Sequence, residues 1–157
     1  MEHVISVLVE NRFGVLAHIA GVFSGRGYNI ESLTVGVAKN PEVSRMTIVV
    51  NGDKRIIDQI VKQLNRQIDV IEVSDLTKAS YIDRELILVK LSVTHEQRAE
   101  VIEIANLFRA KIVDVQIESL TIEAEGDNKK LSALINLLDQ YSISDIVRTG
   151  RVGLPRG

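Results

Sequence analysis

The chain has 157 residues, 19 Lys and Arg against 21 Asp and Glu, a net charge of −2, and no cysteine. The missing cysteine excludes disulfide scaffolds, Cys-based zinc sites, thiol nucleophiles and CxxC metal carriers. A balanced charge with neither half basic argues against a nucleic-acid partner, and three isolated histidines at positions 3, 18 and 95 do not make a metal site.

Ile, Val and Leu number 19, 20 and 15, about a third of the chain, against three Phe, three Tyr and no Trp. That composition favours sheet. No apolar run reaches the roughly 18–20 residues of a membrane span. The start goes directly into a strand-like run with no basic segment before it. We expect a soluble, cytoplasmic protein with no membrane association.

Residues 3–9 read as a buried strand. Leu16, Ile19, Ala20 and Phe23 then fall on one face of a helix over 14–25, which Gly25 and Gly27 stop. Strands are expected at 28–37 and 44–50, joined at Asn40-Pro41. Asp53 is placed to cap a helix whose apolar face is Ile57, Ile60, Val61 and Leu64, and 68–73 closes the series as a strand. The second half repeats the order. A strand over 85–93 leads to Thr94 and Gln97, spaced as a capping box. A helix with Val101, Ile104, Ala105 and Phe108 follows, then strands at 112–115 and 120–124. Asp127 opens a helix with Leu131, Leu134, Ile135 and Leu138, and a strand over 143–149 ends the pattern.

An offset of 74 carries Asp53, Ile57, Ile60, Val61 and Leu64 onto Asp127, Leu131, Leu134, Ile135 and Leu138, and Ile48 onto Ile122. One register for cap and core indicates a repeated unit. The literal repeat IESLT at 30–34 and 117–121 breaks that register, so we read it as coincidence. The fold class is α+β, two ferredoxin-like βαββαβ domains. The first spans 1–76, a linker 77–84 and the second 85–157. Helices cover one face of each sheet, yet several strands are apolar on both faces. Association through sheet faces or edges is therefore expected.

Asn11-Arg12-Phe13-Gly14 lies between the first strand and first helix. A helix start offers free amides and a positive dipole end to a carboxylate, Gly14 allows close approach, and Asn11 can face an ammonium and a carboxylate together. The segment suits a free amino acid, and it equally suits an ordinary capping Asn with a turn Gly. Asn29 and Ile30, at the start of the second strand, would face the same ligand from a neighbouring subunit; turn chemistry is the plainer account. Gly25-Arg26-Gly27 follows a helix rather than opening one and is not a phosphate loop.

No GxSxG, HExxH or DFG pattern occurs. Glu96, Glu100 and Glu103 are expected on a solvated helix face, and the three histidines in surface or capping roles. Arg45 could bind an anion or protect an edge strand, the second being the simpler account. An RNA-recognition domain would need aromatics on its central strands. An acylphosphatase-like enzyme would need an Arg in the first loop, where Arg12 stands, and is the enzyme alternative.

The run NRFGVLAHIAGVFSGRGYNIESLTVG, with SRMTIVV, IDVIEVSDLT, RELILVKL, FRAKIVDV and RTGRVGLPRG, resembles the small regulatory subunit family of acetohydroxyacid (acetolactate) synthase over essentially the whole chain. The resemblance implies that the first half is an ACT domain and that the chain is non-catalytic, with no cofactor of its own. It implies a homodimer through the ACT domain and a catalytic-subunit partner that carries thiamine diphosphate, Mg²⁺ and FAD. It also implies that valine is the feedback effector in branched-chain amino-acid biosynthesis. Carried over by motif position, Asn11, Gly14, Val15 and Leu16 of one chain would meet Asn29 and Ile30 of the other around valine. Other ACT sequences often have Asp-x-Pro-Gly here; this chain has Asn11 and Phe13, and the Asn matches the synthase family.

Overall fold

A computed structural model describes residues 1–157 and realises the expected order of elements twice. The first round is β1 (Glu2–Glu10), α1 (Val15–Gly25), β2 (Ile30–Val37), β3 (Val43–Asn51), α2 (Lys54–Asn65) and β4 (Val70–Asp75). The second is β5 (Tyr81–Ser92), α3 (His95–Leu107), β6 (Lys111–Val115), β7 (Ser119–Gly126), α4 (Asn128–Leu138) and β8 (Ser142–Arg148). A short strand, β9 (Val152–Pro155), follows. The main strand orders are β2-β3-β1-β4 and β6-β7-β5-β8. Neighbouring strands along these paths run antiparallel. Both units are ferredoxin-like.

Period two in the strands meets period 3.6 in the helices to form each core. Alternation sends Ile5, Val7 and Val9 of β1 to the helix side, with Met46 and Ile48 of β3 beside them. There they pack with Val15, Ile19 and Phe23 of α1 and Ile57, Ile60 and Leu64 of α2. The second core repeats this with Ile87, Val89, Leu91, Val101, Ala105, Leu120, Ile122, Leu131, Leu134 and Leu138. The offset of 74 holds in three dimensions. Asp53 caps α2 by accepting from the Ile56 amide at 2.9 Å, and Asp127 caps α4 by accepting from the Lys130 amide at 2.9 Å. The two IESLT runs differ structurally: one starts β2, the other crosses the β6–β7 turn.

The chain divides into compact units differently from the expected boundaries. One unit comprises 1–82 and 151–157, the other 83–150. Residues 77–84, expected as a linker, hold the end of a 3-10 turn (Leu76–Lys78) and the start of the twelve-residue β5. Residues 151–157, expected in the second domain, belong with the first unit. Gly150, at φ 88, turns the chain there. The Arg151 amide donates to Ser32 Oγ at 2.9 Å, the Thr34 hydroxyl donates to the Arg151 carbonyl at 3.0 Å, and Arg151 pairs with Glu2.

This return also alters the expectation of an exposed apolar sheet face. Val4 and Val49 lie on the side of the first sheet away from the helices and are buried with Leu76. Gly153 sits so close that an added Cβ would come within 2.8 Å of Leu76 and 3.4 Å of Val4. The chain itself covers part of the face expected to need a partner. The β2 edge keeps Val35 and Val37 exposed.

Candidate effector site at the start of the first helix

α1 begins at Gly14, which holds φ 84 and ψ −9 and offers no side chain to cap the helix. The Leu16 and Ala17 amides have no hydrogen-bond partner in the fold, and the Val15 amide reaches only the Arg12 carbonyl at 3.4 Å. These orphan donors, at the positive end of the helix dipole, suit a carboxylate. The space where a Gly14 side chain would stand is open. Val15 is buried in the core, so it anchors the helix start rather than presenting its side chain. Leu16 is half exposed and Phe13 fully exposed, giving apolar surface beside the free amides.

The second unit is an internal control. α3 starts at the same place in the repeat, but Thr94 accepts from the Gln97 amide at 3.2 Å and Gln97 accepts from the Thr94 amide at 3.1 Å. This capping box takes up the third helical amide, the counterpart of the Ala17 amide that Gly14 leaves free. The two helix starts therefore differ in chemistry although the units share a fold.

Asn11 is tied to the β2–β3 turn. Its amide nitrogen donates to the Glu42 carbonyl at 2.8 Å and its side chain donates to the Pro41 carbonyl at 3.0 Å. Its Oδ1 remains as an acceptor for an ammonium. A cavity of about 630 Å³ opens beside Asn11, Asn40 and Ile71, but Gly14, Val15 and Leu16 do not line it. Asn29, exposed, precedes β2, and half-buried Ile30 begins it opposite Val50. One chain does not bring the two groups together. Asn11 and Gly14 precede α1, Asn29 and Ile30 follow it, and its eleven residues span roughly 16 Å.

Asp69, which sequence reasoning missed, secures the loop. It accepts from Arg12 at 2.5 Å and lies 3.1 Å from His18 Nδ1; Arg12 also pairs with Glu10. The His18 hydrogen bond holds the Asp69 carboxyl below its ordinary 3.8, and Arg12 adds to this, while desolvation opposes both. The clasp is thus complete above that ordinary value and is lost as pH falls through the lower folded value. In an acid titration, the amide signals of residues 12–18 should shift together as pH falls below about 3.8. Asp69→Asn should produce the same displacement at neutral pH. The signal available in the sequence was His18, one helical turn beyond Gly14; its partner is 51 positions away.

The clasp removes the support for the phosphatase alternative, because Arg12 is neutralised by two carboxylates rather than held open for a phosphate. Arg45 does not protect an edge: β3 is interior, and Arg45 donates to Ser6 Oγ on β1 at 2.7 Å. His3, expected at the surface or in a cap, is 8% exposed. Glu96, Glu100 and Glu103 are exposed as expected. Tyr141 donates to Glu100 at 2.8 Å, and that bond pushes the phenol above its usual value of 10.0. No group of three or more His, Cys, Asp or Glu is arranged to hold a metal ion. No helix is long and apolar enough to cross a membrane.

Residues 5–72 match the model of the AHAS small subunit-like ACT domain, and residues 84–157 match the small subunit of acetolactate synthase. A protein of Archaeoglobus fulgidus named probable acetolactate synthase small subunit is 51% identical over all of this chain and 98% of its own length. The acetolactate synthase small subunit of Mycolicibacterium smegmatis is 47% identical over 99% of this chain and 92% of its own. The crystal structure of the acetolactate synthase small subunit from Thermotoga maritima superposes with a TM-score of 0.88 at 39% identity, covering 100% of this chain and 98% of that one. With an ACT unit whose first helix starts uncapped, a second unit of the same topology and relatives matched end to end, this chain belongs to the family of acetolactate synthase small subunits.

Proposed function

We propose that the chain is a non-catalytic regulator of acetolactate synthase. It raises the turnover of a catalytic subunit that carries thiamine diphosphate, Mg²⁺ and FAD, and it confers feedback inhibition by valine. The observation that supports an effector site is the start of α1 with no side-chain cap, set against the capping box of α3. The opposite placement of Asn11/Gly14 and Asn29/Ile30 supports a homodimer. A twofold axis brings the start of one α1 to the far end of its mate, and the same operation completes a second site. Helix-start amides then hold the valine carboxylate, Asn side chains orient its ammonium, and Leu16 and Ile30 flank its isopropyl group. The exposed edge of β2 offers main-chain groups for the contact.

An effector at such an interface inhibits only by binding one quaternary arrangement better than another. Moving a mostly active population to a mostly inhibited one takes about 5.5 kcal/mol of differential affinity. A site shared by two chains can supply that difference, because displacing one chain removes half of its contacts. Reconstitution tests the reading. Adding the chain to the catalytic subunit should raise its rate severalfold, and valine should reverse the gain. An unchanged rate would refute activation, and a gain insensitive to valine would refute feedback.

A further inference from the structure

Gly14 gives the first turn of α1 no side chain to restrain it. A helix start with unmet amides is prone to fray. This one is held from outside. Asp69 stands at the entry to β4, where its carbonyl accepts from the Glu10 amide at 2.9 Å and so joins the sheet. Its carboxylate reaches both sides of the turn. Oδ1 accepts from Arg12 at 2.5 Å, two positions before Gly14, and Oδ2 lies 3.1 Å from His18 Nδ1. His18 also closes the turn with its own amide, which donates to the Gly14 carbonyl at 3.0 Å. Arg12 and His18 thus bracket residues 13–17, the stretch that carries the free amides.

A local cap steadies a helix start by occupying an amide. Asp53 and Asp127 work in this way, each accepting from the third amide of its helix. Asp69 steadies α1 differently. Its oxygens are turned to the side chains of Arg12 and His18, and the Leu16 and Ala17 amides stay unused. Restraint and free donors therefore coexist at α1, a combination that a local cap does not provide.

We infer that Asp69 is the positioning residue of the effector site. It acts through Arg12 and His18, and fixes the direction of the Leu16 and Ala17 amides without taking them. A ligand carboxylate then meets aligned donors, and binding does not have to order the turn. The inference rests on the effector reading above.

The test compares valine with valinamide, which keeps the side chain and the ammonium but has no carboxylate. Both are titrated calorimetrically into the full chain. In Asp69→Asn, valine should bind about tenfold more weakly, the scale of one charge-assisted hydrogen bond, and valinamide should change less than about twofold. Arg12→Gln should act in the same direction, and the double variant should be no weaker than Asp69→Asn alone, because both changes break one clasp. Arg12 is 58% exposed, so its replacement should barely move the thermal midpoint, and it decides the question alone if Asp69→Asn unfolds. Equal weakening of the two ligands would make Asp69 a merely structural residue and overturn the inference. Valine affinity unchanged in both variants would overturn it too, and would leave the effector site standing as long as Gly14→Asp abolishes binding. A wild-type chain that binds no valine, or a Gly14→Asp variant that binds it fully, would overturn the effector reading and this inference with it.

Discussion

Gly14→Asp is expected to abolish valine binding, weakening it by at least about 100-fold, or ~2.7 kcal/mol. Gly14 sits at φ 84, where an L-residue costs about 1–2 kcal/mol. An added Cβ meets no atom of the same chain, so no internal clash contributes. The larger effect is charge. A carboxylate some 4 Å from the ligand carboxylate costs about 4 kcal/mol at the effective dielectric of a protein surface. The new side chain would also compete with the ligand for the Leu16 or Ala17 amide. Gly14→Asn separates these causes, since Asn tolerates the left-handed region and carries no charge; it should lose less. Calorimetry with valine reads both variants. Full affinity in the Asp variant would mean that the effector does not sit at the start of α1.

Phe23→Ala is expected to cost the first unit about 3–5 kcal/mol, the usual range for a buried Phe. Phe23 is 1% exposed and is the only aromatic residue fully buried in that core. It fastens α1, whose two ends carry the two halves of the candidate site. The two cores share no residue. Urea unfolding followed by the Ile19 and Leu134 methyl signals should therefore show an earlier midpoint at Ile19. The Leu134 transition should stay close to its original position. A loss below about 1 kcal/mol would mean that neighbouring side chains refill the space.

Much of this was legible in the sequence wherever the cause is local. Asp53, Thr94 and Asp127 announce their helices because a cap acts on amides three residues away. Ile57, Ile60 and Leu64 declare a face because helical geometry returns every three or four residues. Gly14 was readable as a site candidate for the same reason. The features that escaped are non-local. Asp69 meets Arg12 57 positions away, and His3 meets Asp75 72 positions away; nothing in the short-range pattern of either residue marks the other. The division into units was missed because β5 runs through the boundary as one strand. The four residues of β9 carry no periodicity to betray a strand.

The return of β9 sets an order on assembly. Thr34 waits for a backbone carbonyl 117 positions later, and Val4 and Val49 gain the cover of Gly153 only after the whole second unit has been made. During synthesis the first unit can form its helix-side core while the opposite face still shows apolar side chains to solvent and to other nascent chains. Closing so distant a contact is slow compared with forming the hairpin of β2 and β3. The cover that β9 gives to the first unit thus arrives late. A first unit lacking it should be the aggregation-prone species, and a bulky fusion just before Arg151 should lower soluble yield more than the same fusion in the Asn40-Pro41 turn.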